Sequence, residues 1–154
     1  MLTQNRDENI KLLRSVTSEV YSGSPILADL ALTQGVHESN LLRKPSQLAE
    51  KYNNLFGIKG KGLTGKSVML PTWEVVKGKT VYVKAAFAFN DSLEDSVKQH
   101  SNLMQKPRYK SVLEAKTLDE AFEAVYTAGY ATDPKYAQKL QDVWKQVQII
   151  LTDI

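Results

Sequence analysis

The sequence predicts an α+β fold: a mostly helical body with one small β-hairpin lobe flanking a cleft. Two patterns predict it. Apolar residues recur at helical spacing through both ends of the chain, while Val68–Phe89 alternates residue by residue. Strands and helices do not take turns along the chain, so nothing supplies a parallel sheet. With 154 residues and 42% hydrophobic content the chain can bury one sizeable core. A single domain over residues 1–154 is expected, with the β-lobe at about 66–90.

The elements follow in order. "DENIKLLRSVTSEVYSG" sets Ile10, Leu13, Val16 and Val20 on one face, with acids in the first turn and Gly23 as the stop. Ser24 and Pro25 then open a second helix as cap and first residue. Its stripe runs Leu27, Leu30/Ala31, Gln34 and ends at Glu38. "PSQLAEKYNNLFGIKG" gives a short helical turn and a tight loop. The hairpin turns at Lys77-Gly78-Lys79. A helix opened by Ser92 carries Leu93, Val97, His100 and Met104 on one face. Thr117 and Glu120 form a capping box, with Gly129 beyond that helix. The last helix starts at Asp133-Pro134 and buries Ala137, Leu140, Trp144, Val147 and Leu151.

Composition excludes several chemistries. Without cysteine there is no disulfide framework and no thiolate metal site. Only His37 and His100 are present, and Leu41 stands where H-E-x-x-H needs its second histidine, so no metal is expected. His100, on an apolar face, reads as a hydrogen-bonded core histidine. The net charge of +3 reads as a mixed solvated surface, with lysines clustered from Lys59 to Lys84. Basic charge is the only support for a nucleic-acid partner, and none is expected.

Residues Gly60–Ser67, "GKGLTGKS", match the phosphate-loop pattern letter for letter. Such a loop needs a buried strand before it and a helix after it, so that backbone N–H groups and a helix N-terminus converge on phosphate. Here a turn precedes, and Pro71 with β-branched residues follows. The match is read as the entry to the hairpin, with no nucleotide and no cofactor.

Two acids stand out. Glu38 continues an apolar stripe at a helix C-terminus, so it is expected half buried. Burial and the negative end of the helix dipole would both raise its pKa and suit it to donate a proton. Glu74 lies on the opposite strand face from Trp73 and Val75. Read alone it is a solvent-exposed acid. Across a cleft from Glu38 it would complete the two-carboxylate arrangement of a glycosidase. Trp73 reads equally as a sugar-stacking wall or as lobe core.

"QGVHES", "NNLFGIKG", "TWEV", "HSNLM" and above all "AGYATDPKYAQKL" resemble the glucosaminidase domain of the flagellar muramidase and autolysin type, glycoside hydrolase family 73. The resemblance runs in order from about Ser24 to Val143. It implies a lysozyme-like fold that cleaves the β-1,4 bond between N-acetylglucosamine and N-acetylmuramic acid in peptidoglycan. Carried over, Glu38 is the general acid and Glu74 the second acid, which activates water. Tyr130 lines the cleft beside the acid, and Asn54, Phe56 and Gly57 form its floor.

The sequence also departs from the family. Asn40, Leu41 and Leu42 follow Glu38-Ser39 where Gly-Trp-Gly is usual, and Ala88 replaces an arginine. Muramidase or lytic transglycosylase action on the same polymer is the near alternative, and a non-catalytic wall-binding module the distant one. The polar N-terminus shows no secretory leader, and no apolar run is long enough to insert into a membrane. The expected setting is a monomer made in the cytoplasm and released or delivered to the bacterial wall, as a phage lysin or virion protein is.

Overall fold

Helix α2 (Pro25–Glu38) is the axis of the molecule, and its sequence shows why. From Leu30 to Val36 every residue is buried, the mark of a helix enclosed on all sides. The stripe expected from periodicity is therefore only part of its contact surface. α1 (Arg6–Val20), α6 (Leu118–Thr127) and α7 (Tyr136–Thr152) pack around it. The computed structural model describes residues 1–152; Asp153 and Ile154, at the end of the expected last helix, lie outside the described residues.

Two apolar clusters flank α2. One joins Ile10 and Leu13 of α1 to Ala31, Leu32 and Val36, and to Val143, Val147 and Ile150 of α7. The other joins Leu30 to Phe122 and Val125 of α6, Tyr109, and Tyr136 and Leu140 of α7. α3 (Gln47–Tyr52) follows α2 in the chain and α4 (Leu93–Met104) packs on α1; a 3-10 turn (Pro107–Tyr109) and α5 (Lys110–Leu113) lead to α6.

One boundary and two details differ from the sequence reading. Ser24 occupies the cap position of α2 but its side chain makes no capping bond; Pro25, at the first helical position, leaves one fewer unpaired N–H at this helix end. α7 begins at Tyr136 rather than Asp133, because Asp133 accepts from Lys135 N and the backbone turns there first. Val143 and Ile150 are buried on α7, while Trp144 and Leu151 sit at the margin. Ser92 and Thr117 cap α4 and α6 as expected.

The lobe is a two-stranded antiparallel sheet of β1 (Ser67–Val76) and β2 (Lys79–Ala88). Val76 pairs with Lys79, leaving a two-residue turn in which Lys77 and Gly78 both have positive φ. That is the turn geometry that matches strand twist. Val68, Leu70, Thr72 and Glu74 share one face with Val81, Val83, Ala85 and Phe87. Met69, Trp73, Val75 and Tyr82 lie on the other face and are exposed.

The Gly60–Ser67 loop ties the lobe to the body. Four of its N–H groups are spent within the protein: Gly60 donates to Ala86 O, Gly62 to Lys66 O, Leu63 to Asn90 Oδ1 and Gly65 to Gly62 O. Strand β1 follows, not a helix. Gly62 is buried so tightly that a Cβ there would stand 2.3 Å from the Phe89 carbonyl oxygen. Gly62→Ala should therefore destabilise the fold by about 1–3 kcal/mol, read from urea unfolding; a native midpoint would show that the loop yields at no cost.

Candidate active site

Helix α2 delivers Glu38 as its last residue. The helix stops because Asn40 turns to φ +60 and Ser39 Oγ bonds back to Gly35 O. Asn is the non-glycine residue that adopts that left-handed backbone most readily, so it replaces a glycine here with little strain. Leu41, where an aromatic was expected, is fully buried in the first cluster.

Glu38 is open to solvent along one side, more so than the half-burial expected from its stripe. On its other sides the protein crowds its carboxyl. Tyr136 Oη donates to Glu38 Oε2 at 3.0 Å. His37 lies edge-on to the Tyr136 ring, and Tyr130 stacks on it with centroids 5.9 Å apart. Loss of water around the carboxyl raises its pKa, against smaller opposing effects of the Tyr136 hydrogen bond and nearby His37. Burial, and then the neighbouring Glu38 charge, push the Tyr130 hydroxyl upward too, so that phenol stays a neutral donor.

Tyr136 is the residue that sequence reading missed. It lay inside "AGYATDPKYAQKL", but the predicted helix start at Asp133 gave its ring no direction. Once α7 starts at Tyr136, the first residue of the helix faces the last residue of α2.

Glu74 is partly exposed, as its strand position suggests, but it is ion-paired. Lys59 Nζ meets its Oε1 at 2.7 Å. Lys59 bridges to Phe87, whereas Glu74 pairs with Val81. On a straight strand those rungs are ~20 Å apart at about 3.3 Å per residue, farther than the two side chains reach. The hairpin must therefore curl toward its Glu74 face, and the ion pair closes that curl.

The remaining expected site residues divide. Gly57 is exposed at φ +69. Asn54 and Phe56 are not surface contacts. Asn54 is 1% exposed; its amide donates to Ile58 O and Ala88 O and accepts from Ile58 N, which commits both of its N–H groups inside the fold. It clasps the loop to the end of β2 instead. Phe56 is buried against His100, with ring centroids 4.6 Å apart. Trp73 is 66% exposed on the outer hairpin face, edge-on to Tyr82. It is therefore not lobe core, and it faces away from Glu74. Among the described residues no group of three His, Asp or Glu is placed to hold a metal ion, and no helix is long and apolar enough to cross a membrane.

Comparison with known proteins agrees with this architecture. A family model, Glucosaminidase, described as mannosyl-glycoprotein endo-beta-N-acetylglucosaminidase, matches residues 16–149. The chain is 35% identical over 150 residues to the exo-glucosaminidase LytG of Bacillus subtilis, covering 92% of this chain and 52% of that protein. It is 34% identical over 134 residues to the peptidoglycan hydrolase FlgJ of Escherichia coli K12, covering 84% of this chain and 42% of that one. The chain thus spans about half the length of these relatives. The catalytic domain of the Listeria monocytogenes autolysin Auto superposes with a TM-score of 0.80 at 28% identity, covering 98% of this chain and 89% of that one. A glycoside hydrolase domain of Salmonella typhimurium FlgJ gives 0.73 at 28% identity, covering 94% and 98%. The chain belongs to the glucosaminidase family, and its fold is the α+β fold of those structures.

The raised Glu38 pKa has a consequence for stability. The folded protein holds this proton more tightly than the unfolded chain, so the contribution is fully present below the unfolded carboxylate value and is lost as pH rises through the raised one. Glu38→Gln removes that titration. The variant should melt above the native protein at neutral pH, with the gap closing toward about pH 4, in thermal melts across that range. A gap independent of pH would contradict burial as the source of the shift.

Proposed function

We propose that the protein hydrolyses peptidoglycan as an endo-β-N-acetylglucosaminidase, with Glu38 as general acid. The observation that carries this is a carboxyl, raised in pKa by burial, at the end of the central helix and beside two stacked tyrosines. Breaking a glycosidic bond requires a proton on the leaving oxygen while positive charge develops on the sugar. A carboxyl whose pKa is raised by burial is better suited to donate that proton than an ordinary carboxylate. Tyr130 presents an aromatic edge and a neutral hydroxyl beside it, as a cleft-lining group would.

Glu74 takes the second role, activation of water on the opposite side of the sugar. Its support is the curl of the hairpin, which brings its strand face over the loop that carries Lys59. The substrate is the glycan strand of the bacterial wall, in keeping with family membership and with relatives named as peptidoglycan hydrolases. Gly57 remains a site where an open backbone could accept a sugar. Trp73 could stack on glycan only outside the Glu74 face.

Cleavage on the other side of the disaccharide is kept as a second reading, because a Lactococcus lactis relative, 30% identical and covering 98% of this chain and 36% of that protein, bears the name "Probable N-acetylmuramidase". Mass spectrometry of borohydride-reduced peptidoglycan digests separates the two. Glucosaminitol ends that disappear with Glu38→Gln are the expected result. Muramitol ends would move the cut to the other bond, and no solubilised product would leave only wall binding. Glu74→Gln should lower turnover at least ~100-fold if it activates water; full activity in that variant would point to a water-independent transglycosylase.

A further inference from the structure

Behind Glu38 the structure holds a file of buried polar side chains that the reaction as described does not use. Gln34 Nε2 donates to Tyr136 Oη at 3.0 Å. Gln34 Oε1 meets His100 Nε2 at 2.7 Å. His100 Nδ1 meets Tyr21 Oη at 2.7 Å. Gln34 and His100 are wholly buried, and Tyr136 and Tyr21 nearly so. The four come from α2, α7, α4 and the end of α1, so no local rule of sequence brings them together.

The donors in this file run one way. Gln34 Oε1 can only accept, so His100 carries its proton on Nε2. Its Nδ1 then presents a lone pair, and Tyr21 must donate to it. Burial alone lowers the His100 pKa to about 3, which keeps the ring neutral and in this single tautomer. At the other end Tyr136 already accepts from Gln34, so its one proton is committed to Glu38 Oε2. A proton on Glu38 Oε2 would then face another proton.

We propose that Gln34, His100 and Tyr136 form a one-way hydrogen-bond chain that confines the acid proton of Glu38 to Oε1, the oxygen left for substrate. The inference rests on the reading of Glu38 as the general acid. The three are positioning residues: none needs to touch the sugar. A protonated carboxyl with two equivalent oxygens would present its proton correctly only part of the time, whereas this chain aims it permanently. Linked donors also polarise one another, so loss of a distant member weakens the last bond.

The test has two independent readings. In native protein, 15N NMR should show His100 protonated at Nε2 and bare at Nδ1, with His37 told apart by a His37→Asn variant; the opposite tautomer would overturn the chain. In kinetics on a soluble glycan, Tyr136→Phe and Gln34→Met should each lower kcat about ten- to hundredfold with KM nearly unchanged. Each should also move the alkaline limb of kcat/KM upward, because the Tyr136 bond holds Glu38 below the value that burial alone would give. The titratable groups facing Glu38 are His37 on its own helix and Tyr130 and Tyr136 across from it; Gln34→Met replaces none of them and acts on Glu38 only through the hydrogen bond that Tyr136 accepts from Gln34. A Gln34→Met enzyme with native kcat and pH profile, beside an impaired Tyr136→Phe, would end the chain at Tyr136. Full activity in Glu38→Gln would instead refute the acid assignment on which the proposal rests.

Discussion

One constraint organises this protein: α2 must be enclosed on every side and yet end at water. Enclosure fixes the helix to within the tolerance of close packing, and that precision passes to its last residue. Leu30 to Val36 are gripped by both apolar clusters, and even Gly35 is there because a Cβ would already touch Leu13 and Phe56. The carboxyl of Glu38 is thus placed by the core, not by the loop that follows.

The lobe is built on the opposite plan. It has almost no core of its own, and the body holds it at its base through the Asn54 clasp, the Gly62 close approach and the pairing of residues 58–60 with β2. Toward its far end the ion pair found among the described residues is Lys59–Glu74, between partly exposed groups. Such pairs are worth roughly 0–1 kcal/mol, so the curl is set firmly at the root and lightly at the tip. The acid is thus fixed by the core, whereas the lobe is fixed at its root and only lightly held at its tip.

Most of the architecture was legible because it is written in local patterns. The switch from helical period to alternation located the hairpin, and Ser92, Thr117 and the Lys77-Gly78 turn marked boundaries through their own short-range bonds. Glu38 was legible because an acid on an apolar stripe is a local contradiction. What stayed hidden depended on partners remote in sequence. Asn54 and Phe56 looked like a cleft floor, yet the first is consumed by the β2 terminus and the second by His100. Tyr136 and Gln34 had no local anomaly strong enough to join them across 102 residues. Glu74 could be assigned a strand face but not the curl that carries that face to Lys59.

Pro71 lies in the middle of β1, whose outer edge faces no other strand among the described residues. A ten-residue apolar edge is otherwise a template on which a second chain can add its own strand and begin a fibril. Proline offers no N–H to such a newcomer and breaks the ladder at its centre. The other edge, on β2, is partly closed by residues 58–60. The lobe can therefore keep Trp73, Tyr82 and Met69 in water at high local concentration without its copies zipping together.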